Sequence, residues 1–500
     1  MKELEDRVAA LESQLTNGGN VRNMVSPPEP PTGPNRLVRS PRTSTRHSWT
    51  LGFTMPPESE CRVLTDAYFE HTNFFSPFID QSKFLQQVHS LYNKDLDAPS
   101  SDPKATFMLC AVLAVSIRLI HCTDPTHSTA SAERFFAVAL AAYEDHDGAL
   151  QNGDLDEIEC LLLIVQYTMF ASDLTTCLRY LHSAIGLAVA LKLHTSPTST
   201  VDITPYDRQF QEDASIEYDR GQWLFWTAYN FERNLRSALQ MPMTLPDSAI
   251  KTSLPPGCHN DHMKALAIHI IRYRQLESSI QTYRTQSVQA EPISCDFAAL
   301  RSQLFTRLSA WRDQCPPFFQ PTKQVSLDII EGLYEVAVVR LYSTSSQLTS
   351  LSGDETITLL KHAAHGITIY KKSFKEGWLR FYWRTIHNLF SCGSALVHCV
   401  KVSAANPDIF VDMGEAMRLA TTCSTVLWGM AERYPAGIRL RDTFDDLADS
   451  AFHTKSRELL TTRTPGAVSI GNSFGDHSLD SHLDSTLYDL GDFNTTQYCS

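Results

Sequence analysis

The amino-acid sequence predicts an all-α protein whose body is a large set of packed helical hairpins. Apolar residues recur at helical spacing over most of residues 58–462, and residues 126–196 and 322–406 contain no proline. Proline breaks helix interiors, so its absence over such lengths favours long helices. No run of alternating polar and apolar residues indicates the strands of a sheet.

Composition supports a soluble globular protein and limits the ways in which it could contact DNA. The 500 residues are 43% hydrophobic and 20% charged, which is enough for a sizeable core. The net charge of −13 argues against a chain that wraps nucleic acid as a whole, because a polyanion would repel it. Any direct contact with DNA would need a separate basic module.

The cysteines, the first residues and the apolar runs predict where in the cell the protein is located. The twelve cysteines form no CxxC pair, and the first fifteen residues are charged throughout, which predicts no secretory signal and an intracellular, reducing location. The longest apolar run, 108–117, is shorter than the roughly 20 residues that span a bilayer, so no membrane partner is expected.

Residues 1–15 are predicted to be a short coiled-coil remnant. Four apolar residues at heptad spacing would form the dimer interface: Leu4, Val8, Leu11 and Leu15. The alternative is a frayed helix, since two heptads are marginal in water.

A disordered basic linker is predicted for residues 16–57. It holds eight prolines, and its one acid, Glu29, faces five arginines: Arg22, Arg36, Arg39, Arg42 and Arg46. These arginines could contact phosphate or assist nuclear import. The alternative is a solvated linker.

In the helical body, Asp154 and Glu157 resemble a capping box that opens a helix burying Leu155 and Ile158 together with Leu162 and Val165. Further along, five aromatics are spaced as a helix core: Trp223, Phe225, Trp226, Tyr229 and Phe231. Packing is the first interpretation. A ligand contact by one or two of them is the alternative, since helical bundles place pockets between facing helices.

No catalytic residue is predicted, and the metal candidates are weak. Cys258, His259 and His262 lie with Asp261 in one loop, but zinc requires four rigidly held ligands. The G-x-S-x-G pattern at 471–475 lacks the strand and helix that a nucleophile elbow requires. A helical enzyme using the 258–262 cluster or the histidines His182 and His194 remains a remote alternative.

Residues 463–500 are predicted to be a disordered acidic-hydrophobic tail. No Lys or Arg follows Arg463, and aspartates alternate with the apolar residues of a candidate activation segment: Leu483, Leu487, Tyr488, Leu490 and Phe493. The alternative is an ordinary disordered tail.

Three blocks in the body carry a family resemblance. The first begins with Tyr68, Phe69, Glu70 and His71 and continues through Phe74, Phe75, Pro77, Phe78, Ile79 and Phe84. The second comprises Tyr180, Ala184, Ile185, Gly186, Leu187, Ala188, Leu191, Leu193 and His194. The third comprises Arg220, Leu224, Phe225, Trp226, Tyr229, Arg233, Ser237 and Pro242. Together they resemble the middle homology region of fungal zinc-cluster transcription factors, also called the fungal-specific or xylanolytic-activator regulatory domain.

The resemblance has departures. Glu232 stands where the family usually has Asp, and Gln240-Met241 stands where Gly-Arg is usual. At Gly186 the small residue would let a neighbouring helix approach closely. Family members usually begin with a six-cysteine cluster that binds two zinc ions, whereas no cysteine here precedes Cys61. The expectation is a chain that lacks this module, with zinc as a cofactor only if an upstream cluster exists.

The resemblance implies a nuclear transcription regulator of a metabolic or secondary-metabolite pathway, with activation favoured by the acidic tail. Its partners would be DNA, a second chain, the transcription machinery and a small-molecule effector. An alternative is a co-regulator without a DNA-binding module, which dimerises with a DNA-binding relative.

Overall fold

The computed structural model describes residues 55–72, 75–93, 102–144, 148–195, 208–255, 262–289, 297–316, 328–343, 351–406 and 408–462. Within these ranges it contains α-helices and two 3₁₀ turns and no strand, which confirms the all-α prediction. The predicted coiled coil, the predicted linker up to residue 54 and the predicted tail lie outside the described residues.

Fourteen α-helices occur in the described part of the chain. They are α1 (Glu58–His71), α2 (Gln81–Asn93), α3 (Pro103–Thr123), α4 (Ala130–Tyr143), α5 (Leu155–Ala171), α6 (Leu174–Ala190), α7 (Arg208–Ala238), α8 (His262–Gln289), α9 (Phe297–Asp313), α10 (Asp328–Tyr342), α11 (Gly353–Lys375), α12 (Tyr382–Ala405), α13 (Met413–Arg433) and α14 (Ile438–Thr462). The 3₁₀ turns are Asp247–Ala249 and Pro435–Gly437.

The helices divide between two compact units. The N-terminal unit comprises the described residues up to Phe69 together with Gln81–Asn152. The C-terminal unit comprises Glu70–Asp80 and the described residues from Gly153 onward. Consecutive helices of the C-terminal unit pack against one another, and α12 additionally contacts α7, α10 and α14, so α12 lies at the centre of this unit.

Helix α3 is the core of the N-terminal unit. Asp102 caps it and Pro103 occupies its first turn, a position that needs no backbone N–H. This 21-residue helix extends beyond the apolar run 108–117 and is apolar and long enough to cross a membrane by length and composition. Its most apolar window is 83% buried inside the protein, which is typical of a core helix and accounts for its hydropathy.

The start of α5 confirms the predicted cap, with one difference. Asp154 accepts a hydrogen bond from the backbone N–H of Glu157, and the Glu157 carboxylate accepts one from Gly153 instead of Asp154. Ile158, Leu162 and Val165 are fully buried. Leu155, at the exposed first turn, is only half-buried.

The expected close approach at Gly186 is wrong. A Cβ built at Gly186 would meet nothing within 4 Å. The close helix contact occurs instead at Gly393 of α12, where a Cβ would lie 2.5 Å from Phe444 and 2.6 Å from the Cys423 sulfur. Phe444 belongs to α14 and Cys423 to α13, so Gly393 permits three helices to meet. The nine described cysteines are all free thiols.

Candidate effector-binding site

The C-terminal unit contains a cavity of about 190 Å³. It is bordered by α5, α7, α8, α10, α11 and α12, by the segment Glu70–Asp80, and by the turn before α12. Apolar side chains form much of its wall, among them Met169, Phe170, Phe231, Ile369, Leu379 and Phe381. Polar and charged side chains occupy the rest, among them Asn230, Asn234, Arg274, Arg380, Arg384 and Asn388.

Beside the cavity, one buried glutamate holds three buried arginines. The Glu277 carboxylate is 2.7 Å from Nη1 of Arg274, 2.8 Å from Nη1 of Arg340 and 2.7 Å from Nη2 of Arg384. All four residues are at least 92% buried. The arrangement links α8, which carries Glu277 and Arg274, to α10 and α12.

Amide side chains fix the orientation of these arginines. Arg274 donates from Nε to Asn230 Oδ1 at 3.0 Å and from Nη2 to Asn234 Oδ1 at 3.1 Å. Arg340 donates to Asn388 Oδ1 at 2.9 Å, and the Asn388 amide donates in turn to the Tyr370 hydroxyl at 2.9 Å. Buried polar groups in such a network are costly unless satisfied, so the network defines one geometry for the cavity wall.

The electrostatics of the cluster favour an ionised glutamate. Burial alone would raise the pKa of the Glu277 carboxyl, but Arg384, Arg274 and Arg340 outweigh it and hold the pKa at about 2. The cluster of Glu277 and its three arginines therefore carries three guanidinium charges against one carboxylate charge.

The cavity wall also includes His71. Burial lowers the pKa of His71, and Arg380 contributes in the same direction.

The aromatic residues predicted for the core confirm the packing interpretation. All five on α7 are buried: Trp223, Phe225, Trp226, Tyr229 and Phe231. Trp226 donates its indole N–H to the Ser253 carbonyl at 2.8 Å. Phe231 also lines the cavity, so one of the five could contact a ligand.

Charged side chains at the third motif block form ion pairs and hydrogen bonds with the loop that follows α7. The buried Arg233 pairs with Glu232 and with Asp247 Oδ1 at 2.7 Å, while the Glu232 carboxylate also accepts from Thr244 N at 2.6 Å. Glu232 thus keeps the carboxylate that the family usually supplies as Asp, and this carboxylate binds the loop at Thr244. Gln240 has a φ of 54°, in the left-handed region that favours glycine, which explains why glycine is usual there in the family.

Several predicted site residues lie outside the described residues. These are the dimer residues Leu4, Val8, Leu11 and Leu15, the activation residues Leu483, Leu487, Tyr488, Leu490 and Phe493, and the metal candidates Cys258 and His259. His262 begins α8, but its side chain is not among those described. No group of three His, Cys, Asp or Glu residues that could hold a metal occurs in the described part of the chain.

The two singled-out histidines are not part of the cavity wall. His182 is exposed on α6. The His194 backbone carbonyl accepts hydrogen bonds from the N–H groups of Lys251 and Thr252 at 2.8 and 3.1 Å.

The sequence motifs do not include Glu277 and its three arginines. Each lies outside the three motif blocks, on a helix whose other buried residues are mostly apolar. The available signal was a charge within an apolar helical run, as at Arg340 in EVAVVRLY and Arg384 in FYWRTIHNLF. A charge placed there must be buried and paired, but the sequence does not say which residues pair.

Comparison with known proteins supports the family resemblance. Residues 65–264 match the family model of the fungal specific transcription factor domain. The chain is similar to the "Positive regulator of purine utilization" of Emericella nidulans, at 21% identity over 88% of this chain and 51% of that protein. It is also similar to "Protein STB5" of Saccharomyces cerevisiae, at 20% identity over 77% of this chain and 53% of that protein. "Activator of stress genes 1" of Saccharomyces cerevisiae is 20% identical over 43% of this chain and 21% of that protein.

These findings confirm the resemblance inferred from the motifs. The matched residues 65–264 contain all three motif blocks, and the similar proteins named as regulators act in fungi. It spans about half the length, or less, of these curated relatives.

Proposed function

We propose that this chain regulates transcription of a metabolic or secondary-metabolite biosynthetic pathway, as a binding protein and not as an enzyme. The observation that carries this proposal is the fungal specific transcription factor domain at residues 65–264. A relative named as a positive regulator of purine utilization supports control of a metabolic pathway. The proposal places the chain in the nucleus, at promoters, directly or through a DNA-binding partner.

In this proposal the C-terminal unit is the regulatory body and binds a small-molecule effector. Support comes from the cavity, whose wall combines apolar side chains with a few fixed polar groups, as ligand sites do. The cavity borders six helices, so a ligand there would contact the segments whose mutual packing sets the shape of the unit.

The proposal also includes dimerisation and activation. Leu4, Val8, Leu11 and Leu15 would pair two chains along one helical seam. The acidic-hydrophobic segment around Leu487 would bind the transcription machinery, because its charges keep apolar side chains solvated until a partner groove accepts them.

A tethered reporter tests the regulatory role. The full chain, fused to a heterologous DNA-binding module, is expected to raise transcription from a reporter that carries the cognate sites. A fusion lacking residues 463–500 should lose most of this activity at equal protein level. Reporter output equal to that of the DNA-binding module alone would contradict activation, and reduced output would indicate repression.

A further inference from the structure

The buried cluster beside the cavity has a surplus of positive charge. Three guanidiniums surround Glu277, which is the one carboxylate that pairs with them among the described residues. Asp328 also lines the cavity, but its Oδ2 lies 2.6 Å from Nζ of Lys372, so its charge is already matched. Buried charge without a counter-charge is costly, and an anion in the cavity would reduce that cost.

Two of the three arginines present their side chains to the cavity. Arg274 and Arg384 line it, whereas Arg340 does not. Arg384 donates to the Asn234 carbonyl from Nη1 and to Glu277 from Nη2, so two of its five N–H groups are used in the described structure. The remaining N–H groups of Arg384 have no hydrogen-bond partner among the described residues.

We propose that the cavity binds a small organic acid whose carboxylate contacts Arg384 beside Arg274 and whose apolar body packs against Phe170 and Phe381. This inference rests on the proposed function and names the chemical class of its effector. A planar guanidinium matches a carboxylate with two parallel hydrogen bonds, which makes arginine suited to this role. Phe170 and Phe381 have ring centroids 4.9 Å apart, so their two rings form one continuous apolar part of the wall.

The dimensions favour a metabolite over a larger molecule. The cavity volume of about 190 Å³ is below the roughly 300–1,000 Å³ typical of drug-sized ligands. Because apolar side chains such as Met169 and Ile369 form much of the wall, an anion with an apolar body uses more of the cavity than inorganic phosphate would.

Thermal unfolding and calorimetry of the purified full chain test the inference. The probes are benzoate, phenylacetate, hexanoate and succinate, each beside its neutral amide, together with inorganic phosphate. At least one carboxylate should raise the unfolding temperature and bind at least tenfold more tightly than its amide. Equal effects of acid and amide, no effect of any acid, or binding of phosphate alone would overturn the proposal.

Two arginine variants locate the binding. Arg384→Lys keeps a positive charge near Glu277 but loses the planar fork, and should weaken carboxylate binding at least tenfold. Arg301→Lys makes the same change at another buried arginine, which pairs with Glu355 outside both the cavity wall and the Glu277 cluster, and should change binding less than threefold. Equal losses in both variants, or no loss in Arg384→Lys, would overturn the assignment.

If Arg384→Lys does not fold, a cavity-filling variant tests the location of the ligand independently. Gly332 lines the cavity, and a Cβ there would meet only Ile369 within 4 Å, at an ordinary 3.5 Å. Gly332→Leu should therefore fold and abolish carboxylate binding, and retained binding would place the ligand elsewhere. These binding measurements use the purified chain and do not depend on transcription. If no carboxylate binds while the tethered reporter is active, the ligand class alone is overturned. Carboxylate binding with a silent reporter would instead count against the proposed function.

Discussion

Glu277 is the buried carboxylate at the centre of the arginine cluster in the C-terminal unit. It neutralises one of three buried guanidiniums and links three helices. Glu277→Gln leaves all three without a counter-charge, and removing one partner of a buried ion pair costs about 3–5 kcal/mol of unfolding free energy. Urea unfolding measures this loss.

A surface glutamate supplies the matched control. Glu415 pairs with Arg418 on the exposed face of α13, where solvent screens the pair. Glu415→Gln should leave the urea midpoint almost unchanged. If Glu277→Gln also left it unchanged, the buried cluster would not stabilise the fold.

The pKa of Glu277 predicts how this stability depends on pH. The carboxyl has a pKa of about 2 in the folded chain, below its ordinary value of 4.5. The depressed value means that ionised Glu277 stabilises the fold fully above about pH 4.5 and progressively less as pH falls toward 2. The free-energy difference between the natural protein and Glu277→Gln should be constant from pH 7 to 5 and shrink below that. A difference that grew with falling pH would contradict the assigned charge state.

At the scale of helices, Gly393 and Gly186 form a matched pair for packing. Gly393→Ala places a methyl group 2.5 Å from Phe444, and such overpacking costs about 1–3 kcal/mol. Gly186→Ala enters open space on α6 and should stabilise by about 0.5–1 kcal/mol, because alanine favours helices over glycine. Thermal unfolding of the two variants should shift in opposite directions. A shift in the same direction would mean that the contact at Gly393 does not constrain the helices.

Helix boundaries were predictable wherever the sequence carries a strong local signal. The Asp154 cap marked the start of α5, and proline accounts for the break before α3 and the one after α12. The break between α5 and α6 has no proline. It relies on Ser172 with a φ of 58° and on Asp173 as a cap, and residues of these types also occur within helices. The turn before α12 likewise depends on Gly377 with a φ of 73°.

At the scale of the whole molecule, the sequence predicts the fold class and the family resemblance but not the cavity. Apolar periodicity and motif order are local properties, and they indicate an all-α regulatory domain directly. The cavity depends on Asn230 of α7, Glu277 of α8 and Arg384 of α12 coming together across more than 150 residues. Such pairings are long-range, and a charge in an apolar run does not identify its partner.

Chromatin occupancy combined with transcript profiling tests the central claim most directly. The tagged full chain is expected to concentrate at a limited set of promoters, and transcripts from those genes should change when the gene for this chain is deleted. Occupancy that requires a second DNA-binding protein would support regulation through a partner. A chain absent from promoters, in a deletion strain with unchanged transcripts, would contradict its assignment as a transcription regulator.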